Sequence, residues 1–198
     1  LFTHYLQPGE RLPAVPAPES SVAVAPFELR ECAPVFANLP KPVSDEQPGT
    51  MEKYGQGYGL IVYRTKLGPG VAGRLAAAAI HDFGYVYLDG RRLGITDRRS
   101  GNYQVRLPAR SGPATLDILV EPMGRVNYGH HINDFKGVHA PVWFITDAGR
   151  SNVLSGWQVF RLPLDQPMLA GLHYRAGAPG GPGLWRGHFH SEKAADTF

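Results

Sequence analysis

The chain has one cysteine, no long apolar run and no block of like charge, and each shortage removes a class of function. Cys32 stands alone among the 198 residues, so no internal disulfide can form, and cysteine usage does not reveal the compartment. With no histidine near it in sequence, Cys32 reads as a small buried apolar residue and not as a nucleophile. No apolar stretch approaches the ~20 residues of a membrane-spanning helix. Basic residues occur at most as doublets, Arg91-Arg92 and Arg98-Arg99, and the net charge is only +3, so neither a nucleic acid nor a membrane surface is implied as partner. The opening Leu1-Phe2-Thr3 has neither an initiator Met nor signal-peptide regions, which gives the expectation that the chain is part of a larger protein.

What is present is a globular, turn-rich composition. Hydrophobic residues make up 43% and charged residues 19%, which excludes a disordered chain, and 24 Gly with 18 Pro call for many turns. Residues 13 to 26, "PAVPAPESSVAVAP", deny both helix and central strand and predict an extended connector. From Phe27 onward short β-like runs alternate with turn residues: "GLIVYRTKL" (59–67), "YVYLDGRRLGIT" (85–96), "YQVRLP" (103–108), "TLDILVEP" (115–122), "PVWFIT" (141–146) and "WQVFRLPL" (157–164). Their spacing predicts an all-β fold, a β-sandwich of jelly-roll or galactose-binding-like type.

Asp89-Gly90, set between two such runs, predicts a two-residue type I′ hairpin because both residues tolerate positive φ. In "RLAAAAIHDFG" (74–84) the alanines favour helix by propensity, but the following strand and the missing cap favour a strand, which is the expectation here. After "AGAPGGPG" (176–183), "LWRGHFH" starts another strand with little chain left downstream to pair with. The expected organisation is a connector over 1–26, a β-sandwich over 27–150, and the incomplete start of a second β-domain over 151–198.

The chemically suggestive stretch is "LDILVEPMGRVNYGHHINDFKG" (116–137). Asp117 and Glu121 resemble an acid/base pair, but four residues of strand separate them by ~13 Å at ~3.3 Å per residue, beyond the reach of either glycosidase mechanism. His130, His131, Asp134 and His139 lack any recognised metal-ligand spacing, and adjacent histidines on extended backbone diverge, so no metal is expected. There is no nucleophile elbow, and "GQGYG" and "GPGVAG" do not sit between a strand and a helix as a phosphate loop does. No catalytic residue and no cofactor is assigned. "GRVNYG" remains: Tyr128 beside Asn127 and Arg125, bracketed by glycines just after a strand, suits a sugar that stacks on the ring and bonds the neighbouring donors. A buried corner tyrosine would look the same.

"MEKYGQGYGLIVYRTKL" (51–67), "HDFGYVYLDGRRLGITDR" (81–98) and "LDILVEPMGRVNYGHHINDFKG" (116–137), in that order, closely resemble the non-catalytic β-domain of glycoside hydrolase family 35 β-galactosidases. "ANLPKPV", "WQVFRLPL" and "GLWRGHFHSEKAADTF" extend the resemblance over about residues 25 to 198. It implies a parent that hydrolyses terminal β-galactosides with retention, using two glutamates on a TIM barrel to which nothing in this chain corresponds. It also implies that Tyr128 lines the rim of the galactoside pocket, with Arg125 and Asn127 holding its loop and Asn133 and Asp134 bonding the turn's backbone. A periplasmic or extracellular parent is compatible with it. An autonomous carbohydrate-binding module and a purely structural clamp are the alternatives.

Overall fold

The computed structural model describes residues 2–17, 21–177 and 180–192. The strands are β1 (Glu31–Pro34), β2 (Val43–Asp45), β3 (Leu60–Leu67), β4 (Gly73–His81), β5 (Phe83–Leu88), β6 (Arg91–Asp97), β7 (Gln104–Leu107), β8 (Ala114–Glu121), β9 (Gly137–Thr146), β10 (Ser151–Val153) and β11 (Trp157–Leu162). A short helix α1 (Gln166–Ala170) and strands β12 (Arg175–Ala176) and β13 (Gly183–Arg186) follow. Among the described residues they form a six-stranded sheet, β2-β11-β3-β8-β5-β6, a four-stranded sheet, β10-β9-β4-β7, and a small sheet, β12-β1-β13.

The two larger sheets make a β-sandwich, and side-chain alternation explains how. On β8, Leu116, Ile118 and Val120 point into the space between the sheets, joined by Ile61 and Tyr63 of β3 and Val86 and Leu88 of β5. From the four-stranded sheet come Leu75, Ile80, Val138, Val142 and Phe144. Leu75 and Ile80 differ in parity yet share this core, because the β4–β9 register shifts between Ala77 and Ala79, and such a bulge exchanges the faces of the strand. The alanine run is therefore a strand, with Pro141 of β9 where pairing is interrupted.

A second apolar layer covers the outer face of the six-stranded sheet, where Val62, Tyr87, Leu119, Phe160 and Leu162 pack with Val35, Phe36, Leu39 and Met168. Strands buried on both faces read as nearly continuous apolar runs, as "ILV" and "LIVY" do. Asp117 lies within this layer, 2% exposed, and receives Arg64 Nε at 2.7 Å and a second guanidinium nitrogen at 3.2 Å. The guanidinium is flanked by the rings of Phe160 and Phe36.

Asp89 and Gly90 form the β5–β6 turn with φ of 47° and 79°. Residues 151–162, grouped from the sequence with a second unit, instead complete both sheets of the sandwich. β10 pairs with β9, and β11 lies between β2 and β3 with Trp157 and Val159 in the core. β13 finds its partner far upstream: Leu184 and Trp185 pair with Ala33 and Cys32 of β1. That pairing is invisible to a local reading, since the two strands are four residues each and β1 ends at Pro34 while β13 begins only at Gly183.

Candidate functional site

Between β8 and β9 the chain leaves the sandwich as a loop running from Pro122 to Lys136. Tyr128 at its tip is 89% exposed, so it is not a corner tyrosine of the core. Met123, Ile132 and Phe135 on the same loop are exposed as well. Tyr58, also exposed, lies on the neighbouring turn, which accepts a hydrogen bond from Arg125 Nε at Gly57 O, 2.9 Å. Tyr58 lines a cleft of about 830 Å³ that also takes in Asn38, Lys41, Arg161 and His173. Large apolar side chains concentrated in this way on an exposed surface are a mark of interaction sites.

Although its tip is exposed, the loop is fixed at both roots. At the entry, Arg125 donates to the Glu52 carboxylate on the short 3₁₀ turn Met51–Tyr54. At the exit, the Lys136 amide donates to both oxygens of the same carboxylate at 3.2 Å, and Met51 N donates to Lys136 O at 2.7 Å. Burial opposes ionisation of Glu52, but Arg125 and the backbone donors outweigh it and lower its pKa.

Beneath the exit lies a buried charge cluster. Lys136 Nζ, its side chain 2% exposed, stands 2.6 Å from Asp82 and 2.8 Å from Asp134. Arg98 bridges the same two carboxylates at 3.0 and 2.6 Å. Two acids and two bases balance, which is what makes such burial tolerable. Burial works against the Asp134 carboxylate, but Arg98 and Lys136 hold its pKa at about 2. His81 Nδ1 and His139 Nε2 both meet Phe135 O, at 2.9 and 3.1 Å, with their rings 4.5 Å apart. Asp134 thus binds the side chains of Arg98 and of Lys136 at the loop's exit rather than the backbone of its turn, because these neighbours in space carry the charges it needs.

The other chemical candidates are drawn apart. His130 and His131 are exposed on the loop while Asp134 is buried beneath it, and no group of three potential metal ligands is present among the described residues. Asp117 is committed to Arg64, and Glu121 accepts from the Tyr85 hydroxyl at 3.2 Å.

A family model described as "Beta-galactosidase, first all-beta domain" matches residues 48–163. The chain belongs to this β-galactosidase domain family. It is 36% identical over 192 residues to a β-galactosidase of Xanthomonas manihotis, covering 96% of this chain and 31% of that protein. It is 34% identical over 171 residues to a β-galactosidase of Homo sapiens, covering 81% of this chain and 24% of that protein. The chain therefore spans less than a third of the curated relatives it matches, as an all-β, non-catalytic region of the β-galactosidase family.

The stretch matched to the β-galactosidase domain contains Glu52, Asp82, Arg98, Arg125, Tyr128, Asp134 and Lys136. Of these, Glu52, Asp82, Arg98 and Lys136 escaped the sequence reading. Their one signal was that Asp82 and Lys136 sit immediately beside strand residues whose neighbours are apolar, an unusual place for a charge without a partner.

Proposed function

We propose that this chain is the accessory region of an enzyme that hydrolyses terminal β-galactosides with retention, and that it supports a catalytic barrel while Tyr128 lines the substrate rim. The observation carrying this reading is an exposed aromatic at the tip of a loop whose two roots are fixed by charge. A free ring of this kind offers a flat apolar face to a sugar, and a fixed root keeps the entropy lost on binding small. Asn127 and Arg125 flank it; Arg125 is turned back toward Glu52 and Gly57, which gives it the part of holding the loop. The residues following α1, together with β1, fit the start of a second galactose-binding-like domain, in which β12, β1 and β13 already pair.

The experiment is a kinetic comparison in the whole protein. Tyr128→Ala should raise KM or change linkage preference with little change in kcat, since a rim contact serves binding more than the chemical step. Unchanged kinetics would remove Tyr128 from the site. The second reading, an autonomous sugar-binding module, is favoured by the cleft beside Tyr58. Galactose titration of this chain separates the two: saturable millimolar or tighter binding supports the module, and no binding supports the accessory role.

A further inference from the structure

We propose that Glu52 is a positioning residue, a single carboxylate that closes the Pro122–Lys136 loop at both ends and thereby sets where Tyr128 stands. The proposal rests on the rim reading of Tyr128 given above.

A connection of this length without ladder hydrogen bonds has many conformers available, and its tip can be located only through its roots. One root is strong by itself: Lys136 is held by Asp82 and Asp134 through its side chain and by Met51 through its carbonyl. The entry side has no such cluster. After Pro122 leaves β8, the side chain that returns to the fold is Arg125, and it meets Glu52 and the carbonyl of Gly57. Glu52 in turn receives the Lys136 amide, so one side chain ties residues 125 and 136 together.

The turn bearing Glu52 is itself fixed. Met51 and Tyr54 on either side are buried, and the Tyr54 hydroxyl donates to Asp45 at 3.0 Å. Glu52 therefore transmits the position of the sandwich to the loop, while the fold does not depend on its carboxylate for packing.

The chemistry requires a carboxylate of this length. Both oxygens of Glu52 face donors, and the oxygen that meets Arg125 also meets the Lys136 amide, so a glutamine keeps only one accepting oxygen, sets its NH₂ against that amide and gives up the charge that strengthens both contacts. Aspartate keeps the charge but is one methylene too short to span both.

The test compares Glu52→Gln, Tyr128→Ala and the double variant in the whole protein, by steady-state kinetics and by amide hydrogen exchange. Glu52→Gln should speed exchange of the Lys136 amide, which the Glu52 carboxylate accepts, by about tenfold or more, as loss of a charge-assisted bond implies, with the amides inside β8 and β9 unaffected. It should raise KM several-fold with kcat within about twofold, and add nothing further in the Tyr128→Ala background. Unchanged exchange of the Lys136 amide in Glu52→Gln would overturn the proposal, and so would a KM effect that adds in full to that of Tyr128→Ala. If Tyr128→Ala leaves KM unchanged while Glu52→Gln speeds exchange of the Lys136 amide, the rim reading fails and takes the positioning role with it, although the loop closure is real. Should Glu52→Gln fold poorly, Arg125→Lys breaks the same fork from its solvent side, and the same faster exchange of the Lys136 amide is required of it.

Discussion

The hydroxyl of Tyr63 stands 2.3 Å from the point where a β-carbon on Gly137 would lie. From there it donates to Gly49 O at 2.7 Å and accepts from Val138 N at 3.3 Å, tying β3 to the start of β9. Burial pushes its pKa far up, so it remains a donor throughout the accessible range. Gly137 also has φ of 96°, which disfavours any side chain. Gly137→Ala should therefore destabilise the domain by about 2 kcal/mol or more, read as a lower urea midpoint. Tyr63→Phe in that background removes the colliding oxygen, so the double variant should lose less than the sum of the two single losses. An unchanged midpoint in Gly137→Ala would show that the close approach constrains nothing.

Arg64 and Asp117 form a pair whose worth can be measured. Asp117→Asn leaves a guanidinium between two rings facing a neutral amide, and breaking a buried pair from one side costs about 3 kcal/mol. Replacing both partners with apolar side chains of similar volume should recover most of that loss, because the desolvation of both charges is then avoided. Chemical denaturation of the three variants decides it, and equal stability of the single and double replacements would mean that packing, not charge, sets the cost.

The β5–β6 hairpin tests what was legible in the chain. Asp89 and Gly90 hold the positive φ values that their residue types announce, and Asp89 Oδ1 accepts from Thr115 N at 2.7 Å as a further tie. Gly90→Val should cost about 1 kcal/mol or more, with the loss seen in thermal unfolding. If the melting temperature does not fall, the turn is adopting another conformation.

Features of this kind were readable because they are local. Alternation along "TLDILVEP" gives a strand, Asp-Gly gives a turn, and three motifs in order give the family. The parts not readable depend on pairing at a distance. Lys136 meets Asp82 across 54 residues and Arg186 meets Glu31 across 155, and neither separation leaves a periodic trace. Asp134 is visible as a polar residue in a loop, but its partners are not, and the family resemblance points its side chain only to the backbone of the turn. The bulge between β4 and β9 is hidden for the same reason, since only their pairing shows that Ala140 and Pro141 of β9 stand opposite the single Ala78 of β4.

Acidification should dismantle the loop's exit root in two stages whose signs follow from the pKa shifts. Burial, opposed by the Phe135 carbonyl and aided by the nearby Arg98 and His139, lowers the pKa of His81 below its ordinary 6.5. The unfolded chain then takes up this proton first, so stability falls as pH drops through about 6.5, and His81→Asn should flatten the curve below about pH 7. Asp134 titrates at about 2 instead of 3.8. Its contribution is present above about pH 4 and lost as pH falls through about 2, and the shift corresponds to about 2 kcal/mol. Asp134→Asn should thus be less stable than the parent chain at pH 7 and lose less on going from pH 5 to 2. Urea midpoints across that range provide the check. A pH profile for Asp134→Asn parallel to that of the parent would mean that the Arg98–Asp134–Lys136 contacts do not bind the charged form more tightly than the neutral one, and that the loop is held at its exit by the Met51–Lys136 backbone bond instead.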